Sequence, residues 1–375
     1  MFNCIITNLD NLMKPVYKAL FVAASMTFVV ACSESHLNDE AMQPQRNSSA
    51  RIGQPGAEDR CATMRVLSDK LAENPGLARS MEAIEAHTQR FLSMQKGNSG
   101  NEKPGNGNGK PGNGGGGGTG GGGTTDPATT ITIPVYVHVI YSTSQQNISN
   151  AQIQSQIDVL NKDFRAQNSD KNSTPSEFAS LIADFNIQYS WNTNNLIRKA
   201  SSKSSWGTND AVKNSKRGGS NPVPGYLNIW VCNIGGGILG YAQFPGGSAS
   251  TDGVVIGPEY FGSSALGSNF YLSAPYDLGR TATHEIGHWL NLRHIWGDGG
   301  CGVDDYVSDT PMSDGPNYGC PAYPTVRCNS SNMTMNYMDY TYDGCMYMFS
   351  TGQKERSRAI FAPGGPRADF VSVTP

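Results

Sequence analysis

Net charge is nearly missing from this chain: 28 basic residues against 31 acidic ones leave −3 over 375 positions. There is no basic stripe and no interleaving of aromatic with basic residues, which excludes nucleic acid as a partner, because binding it needs a positive surface. The apolar run near the start is too short for a comfortable membrane span. No C-x-x-C pair occurs among the eight cysteines, which weighs against a structural zinc site built on thiolates. Side chains able to pack are almost absent from residues 97–127, so no core forms there. Histidine is scarce, with six copies, so any cluster of it is informative.

What is present divides the chain into four parts. From Met13, a candidate true start, the sequence reads MKPVYKALFVAASMTFVVAC, with lysines first and a small residue before Cys32, so residues 1–32 form an export address. The ending resembles a bacterial lipoprotein signal, which would make Cys32 a lipid-anchored N-terminus at the membrane; an ordinary secretory leader is the alternative. Either route takes the protein out of the cytoplasm, to the cell envelope or beyond. Residues 33–96 are polar at first and then carry two short helices broken at Asn74-Pro75-Gly76. They have too few apolar positions for a core of their own and must lean on something else. Residues 97–127 are a glycine-rich tether spanning roughly 30 Å on average.

Residues 128–375 read as one domain. ITIPVYVHVIY at 131–141 alternates and is β-branched, hence a strand, and SNAQIQSQIDVLNKDFR is an amphipathic helix capped by Ser149. FNIQYSWN, YLNIWVCNI, GILGYAQF and DGVVIGPEYF read as further strands, and helices are expected from about Asp277 to Leu290 and near TGQKERSRAIF. The part between those helices is irregular. In an exported chain its even cluster of Cys301, Cys320, Cys328 and Cys345 reads as two disulfides, with three pairings open. Cys232 and His138, each alone on a strand, read as structural.

THEIGHWLNLRHIWGD at 283–298 places three of the six histidines within eleven residues. His284 and His288, four apart, project from one helix face, and Glu285 lies beside them. With His294 they make three neutral nitrogen donors that leave a fourth position for water, the arrangement of a catalytic zinc. Zinc lowers the pKa of its water from about 15.7 toward about 7, so a nearby carboxylate can take the proton. Between the histidines Asn291 stands where the chain must stop a helix and turn, a step that commonly needs a left-handed residue; asparagine tolerates it next best after glycine.

HEIGHWLNLRH resembles the long zinc signature of the metzincin peptidases, H-E-x-x-H-x-x-G-x-x-H, and MNYMDY at 335–340 resembles their Met-turn. Within the metzincins the chain is most similar to the pappalysin family with its cytophagalysin-type members, through IPVYVHVIY, YLNIWVCNI, LGYAQFPG, DGVVIG, SDTP and CMYMFS, over essentially all of 131–362. The resemblance implies an α+β catalytic domain with a mixed, mostly parallel twisted sheet, a long zinc-binding helix and a loop-rich, disulfide-stapled C-terminal subdomain. It makes His284, His288 and His294 zinc ligands, Glu285 the general base, Met338 the apolar floor under the metal, and Tyr340 a donor to the developing oxyanion. It pairs Cys301 with Cys328 and Cys320 with Cys345. RCATM resembles the family's R-C-G-T motif, in which Cys61 would fill the fourth zinc position and keep the precursor latent, making residues 33–96 an inhibitory pro-segment; Ala62 stands where glycine is usual.

Three expectations complete the reading. CGVDDYVSDTP gathers Asp304, Asp305 and Asp309, hard oxygen donors suited to calcium, with a plain solvated turn as the alternative. GILGYAQF reads as an edge strand that an extended polypeptide could join, which suits an endopeptidase acting on proteins or peptides. Bacterial relatives often cut before arginine, and Asp343 lies near the pocket that would receive it, although Gly344 stands just before Cys345 where an acid would be expected. The competing class is a non-catalytic surface lipoprotein that binds polypeptide at the edge strand, with the metal only structural.

Overall fold

The computed structural model describes residues 60–99 and 129–370; Met13, Cys32, the rest of the export address and most of the tether lie outside the described residues. In chain order the helices are α1 (Thr63–Glu73), α2 (Pro75–Ser99), α3 (Asn150–Asp163), α4 (Ser176–Ala179), α5 (Arg280–Trp289) and α6 (Thr351–Ala359). The sheet strands are β1 (Ile131–Tyr141), β2 (Ile187–Ser190), β3 (Leu196–Ala200), β4 (Leu227–Val231), β5 (Gly240–Ala242) and β6 (Val254–Ile256). The sheet runs β2-β1-β4-β6-β5, with β3 also on β1, and every pairing is parallel except β5 with β6. A parallel sheet needs cover on both faces, and this one has it. Ile133, Val135, Val137 and Val139 point into a core that includes Ile153 and Ile157 of α3 and Ala282 and Ile286 of α5. Ile140, Trp230, Tyr241 and Val255 fill a second cluster on the other side of the pleat, completed by Ala62 and by Val66 of α1.

The segment expected to lean on something else leans on the catalytic domain. Asn74 ends α1, its side chain accepts from Gly76 N at 2.9 Å, and Pro75 opens α2, where a missing N–H costs nothing. At 25 residues α2 is much longer than the short helix expected, and its end overlaps the first tether residues. The active-site helix, in turn, is shorter than expected. Gly279 before it has φ 86, and the Asp343 carboxylate accepts from Leu278 N (2.9 Å) and Arg280 N (3.1 Å), so the helix begins at Arg280 rather than Asp277. β3 was missed because LIRKA is half exposed and carries two charges, which hides the alternation.

The lower part is held by links more than by a core. Cys301–Cys328 and Cys320–Cys345 are bonded, closing loops of 27 and 25 residues, each contributing about 3.5 kcal/mol by loop-closure entropy. A capping box at Ser350 and Gln353 starts α6. Among the described residues no helix is long and apolar enough to cross a membrane.

Candidate active site

α5 presents His284, Glu285 and His288, all nearly fully buried, against the edge strand β5. Gly240 on that strand is what lets Glu285 lie there, because a Cβ at 240 would stand 2.9 Å from Glu285 Cγ. The helix ends at Trp289 with Leu290 as its cap, and Asn291 takes φ 74, the left-handed turn its position called for. Leu292 N then returns to Gly287 O at 3.0 Å, and the chain brings His294 back over α5. Arg356 of α6 fixes this turn from outside, its Nε donating to Asn291 O at 2.8 Å.

Each imidazole is oriented by its second nitrogen. Nδ1 of His284 lies 2.7 Å from Tyr337 O, Nδ1 of His288 lies 2.8 Å from Leu292 O, and Nδ1 of His294 lies 2.5 Å from an Asp298 carboxylate oxygen. With Nδ1–H donated to an oxygen, each Nε2 carries a lone pair, and the three lone pairs converge. His288 Nε2 is 3.2 Å from His284 Nε2 and 3.1 Å from His294 Nε2. Three acceptors at such distances repel one another unless a cation lies among them, and burial disfavours a proton there. It pushes His284 down to about 3 and His288 well below its ordinary value. Cys61 Sγ, 3.5 Å from His288 Nε2, completes a set of four ligand atoms all within 4.8 Å of one another. Three nitrogens and one sulfur suit tetrahedral zinc. Burial, then the Glu285 charge, pushes the Cys61 thiol up, so a thiolate here calls for a cation beside it.

Met338 lies directly under α5: a Cβ added at Gly287 would stand 2.4 Å from its Sδ. The Tyr340 ring sits 4.9 Å from that of His294, and its hydroxyl reaches Cys61 O at 3.4 Å. Asp343 lines a cleft beside Glu285, His284 and Met346, together with Tyr276 and Arg60. Burial raises its carboxyl to about 7. The three aspartates expected to hold calcium each accept hydrogen bonds from the chain. Asp304 accepts from Tyr306 N, Asp305 from Val307 N and the Thr310 hydroxyl, and Asp309 from the Ser350 hydroxyl and Gly352 N at the start of α6. They do not converge: the Cys61 and histidine set is the only candidate metal group among the described residues. Cys232 is a buried free thiol, and His138 is held between Ser220 and Asn228.

Sequence reasoning missed several residues that complete the site. Thr63, in the RCATM motif, donates its hydroxyl to Glu285 Oε2 at 2.7 Å and accepts from Ala242 N at 2.8 Å. Trp296 stacks on His294 at 4.3 Å, and Asp298 orients that histidine; both stand in HIWGD, immediately after the signature.

A model of the family of pregnancy-associated plasma protein-A matches residues 221–362. Extracellular metalloprotease 1 of Coccidioides posadasii is 34% identical over 237 residues, covering 62% of this chain and 77% of the relative. The chain belongs to the pappalysin family. An extracellular metalloprotease of Arthroderma benhamiae is 35% identical over 250 residues, covering 62% of this chain and 73% of its own. Mature mirolysin of Tannerella forsythia, solved in complex with a cleaved peptide, is 48% identical, with TM-score 0.62 over 65% of this chain and 97% of that one. A promirolysin mutant from the same organism gives the same identity and TM-score over 66% and 85%. As a pappalysin the chain is a zinc metalloendopeptidase with a mirolysin-like fold, an enzyme rather than a binding protein with a structural metal.

Proposed function

We propose that the chain is the latent precursor of an exported endopeptidase, with Glu285 as general base and Cys61 as the plug of the zinc site. The observation that carries this is the convergence of Cys61 Sγ with three histidine nitrogens. Supporting it, Arg60 O and Ala62 N bond Leu239 N (2.8 Å) and Gly240 O (3.1 Å), so residues 60–62 occupy the main-chain groups of the edge strand that a substrate would use. Export is supported by relatives that are named extracellular. Zinc at the three imidazoles would polarise the scissile carbonyl and a water molecule. The chain does the rest. Glu285, 1% exposed, takes the proton from the attacking water and passes it to the leaving amine. Tyr340 donates to the developing oxyanion. His284, His288 and His294 keep their tautomers through the three Nδ1 contacts.

Two substitutions test this together. Glu285→Ala in the mature form should lower peptide hydrolysis by about 10²-fold or more with zinc content unchanged; activity within a few-fold of wild type would remove Glu285 from its role. Cys61→Ala should give a precursor that is more active or processes itself faster, and an unchanged latent precursor would rule out the plug.

For the pocket after the cut we infer a preference for a basic side chain. The buried Asp343 carboxyl lines it, and Arg60 enters the same cleft with its guanidinium 4.8 Å over the Tyr276 ring. A peptide-library digest should show arginine or lysine after the cut; an apolar residue there would sink the idea.

A further inference from the structure

We propose that the pro-segment is a two-site ligand of the catalytic domain, and that cutting the glycine-rich tether therefore leaves the enzyme latent until the segment itself is cut or dissociates. This rests on the latency reading above and extends it.

The first site is the cleft. Cys61 meets the histidines, Thr63 holds Glu285, and residues 60–62 bond the edge strand. The flank of α1 continues it. Lys70 pairs with Asp210 and donates to Gln243 Oε1 at 3.0 Å, while Asp210 also pairs with the buried Lys213 at 3.0 Å. Leu67 and Leu77 close over Phe244.

The second site lies on α6. The Glu85 carboxylate takes both ends of the Arg356 guanidinium, at 3.1 Å from Nη1 and 2.6 Å from Nη2. His87 Nε2 is 3.0 Å from Ala359 O, and Phe91 is buried against Ala359 and Ala362. Arg356 is itself 2% exposed and Glu85 is partly exposed, so the pair is a charge-assisted bidentate contact at the edge of the buried surface. Removing Glu85 would strip a buried cation of its carboxylate partner.

Every segment residue in these contacts lies within 60–99, on the N-terminal side of the tether, so a cut within 100–128 breaks none of them. Such a cut only turns an intramolecular ligand, held at an effective concentration of about millimolar, into a free one. Two linked sites bind about 10²- to 10⁴-fold more tightly than either alone, which keeps the severed segment in place at ordinary protein concentrations. The joint between the sites is Asn74-Pro75, and both residues are exposed. A second cut there would separate Cys61, Thr63 and Lys70 from the α6 ligand, leaving Leu77 with α2, and abolish the linkage.

The experiment uses the full chain with a recognition sequence for an added specific protease inserted between Gly115 and Gly116. The uncut precursor is assayed first; if it is already as active as the mature enzyme, the latency reading fails, and this proposal with it. After the cut, the fragment should co-elute with the catalytic domain at about 10 μM and activity should stay within about threefold of the uncut level, rising on dilution. In the same chain Glu85→Arg should stay latent while tethered but gain at least about tenfold in activity once cut. Phe91→Ser provides a second variant with the same expectation. Prompt full activity with the unsubstituted fragment eluting separately would overturn the proposal, as would variants that stay latent after the cut.

Discussion

Asn291 carries more of the metal site than its single side chain suggests. It has φ 74, its N bonds His288 O at 2.9 Å, and its O receives Arg356, so one residue both ends α5 and aims the return of His294. Its Nδ2 is buried with no hydrogen-bond partner, so the side chain contributes little beyond tolerating the turn. Glycine should therefore serve as well, whereas a β-branched residue in the left-handed region costs at least about 1–2 kcal/mol, which loosens the third ligand. We expect Asn291→Val to lose zinc to a chelator markedly faster than wild type and Asn291→Gly to lose it no faster; equal rates for all three would show that the turn does not limit retention. At this scale the histidine cluster was legible because scarcity and spacing coincide, and the turn because one position had to be left-handed. Thr63, Trp296 and Arg356 were not legible. Thr63 and Arg356 act through contacts across 222 and 65 residues of sequence, and Trp296, although two residues from His294, stands at no spacing that marks a stacked ring.

Among the elements, α5 is constrained on both sides. Gly240 of β5 admits Glu285, and Gly287 admits Met338, whose side chain is fully buried. An alanine at 287 would gain up to about 1 kcal/mol in helix propensity but would crowd Sδ to 2.4 Å, an overpacking that costs about 1–3 kcal/mol. The second effect wins. Gly287→Ala should lower the Tm by several degrees and weaken zinc retention, and an unchanged melting curve would show that Met338 moves freely. The legibility of elements follows burial. β1, β4 and β6 are buried and β-branched and were plain in the sequence, whereas β3 is half exposed and polar, and the length of α2 was hidden because its apolar anchors are few and far apart.

For the whole molecule, pH acts through carboxyls that folding buries. Burial holds Asp305 and Asp343 at about 7, against an ordinary 3.8, so between those limits the folded chain keeps protons that the unfolded chain has released. Stability from these groups is therefore full below about pH 4 and falls as pH rises through about 7. Glu85, Asp210 and Asp252 work the other way. For Glu85 and Asp252 an arginine partner, and for Asp210 the paired lysines, overcomes burial and lowers the carboxyl, so their contribution is present above the ordinary range and is lost toward acid. The two sets oppose each other below pH 4, whereas between 5 and 8 it is the raised carboxyls that titrate, with Asp163 and Asp339, which burial raises to about 6, beside Asp305 and Asp343. Asp305→Asn keeps a neutral side chain between Val307 N and Thr310 at every pH, so its Tm relative to wild type should climb from pH 5 to about 7 and level off toward 8 in zinc-loaded precursor. Comparing the two proteins cancels the pH dependence of zinc binding, which both share. A Tm difference that stays flat across that range would mean that Asp305 is already ionised in the folded chain.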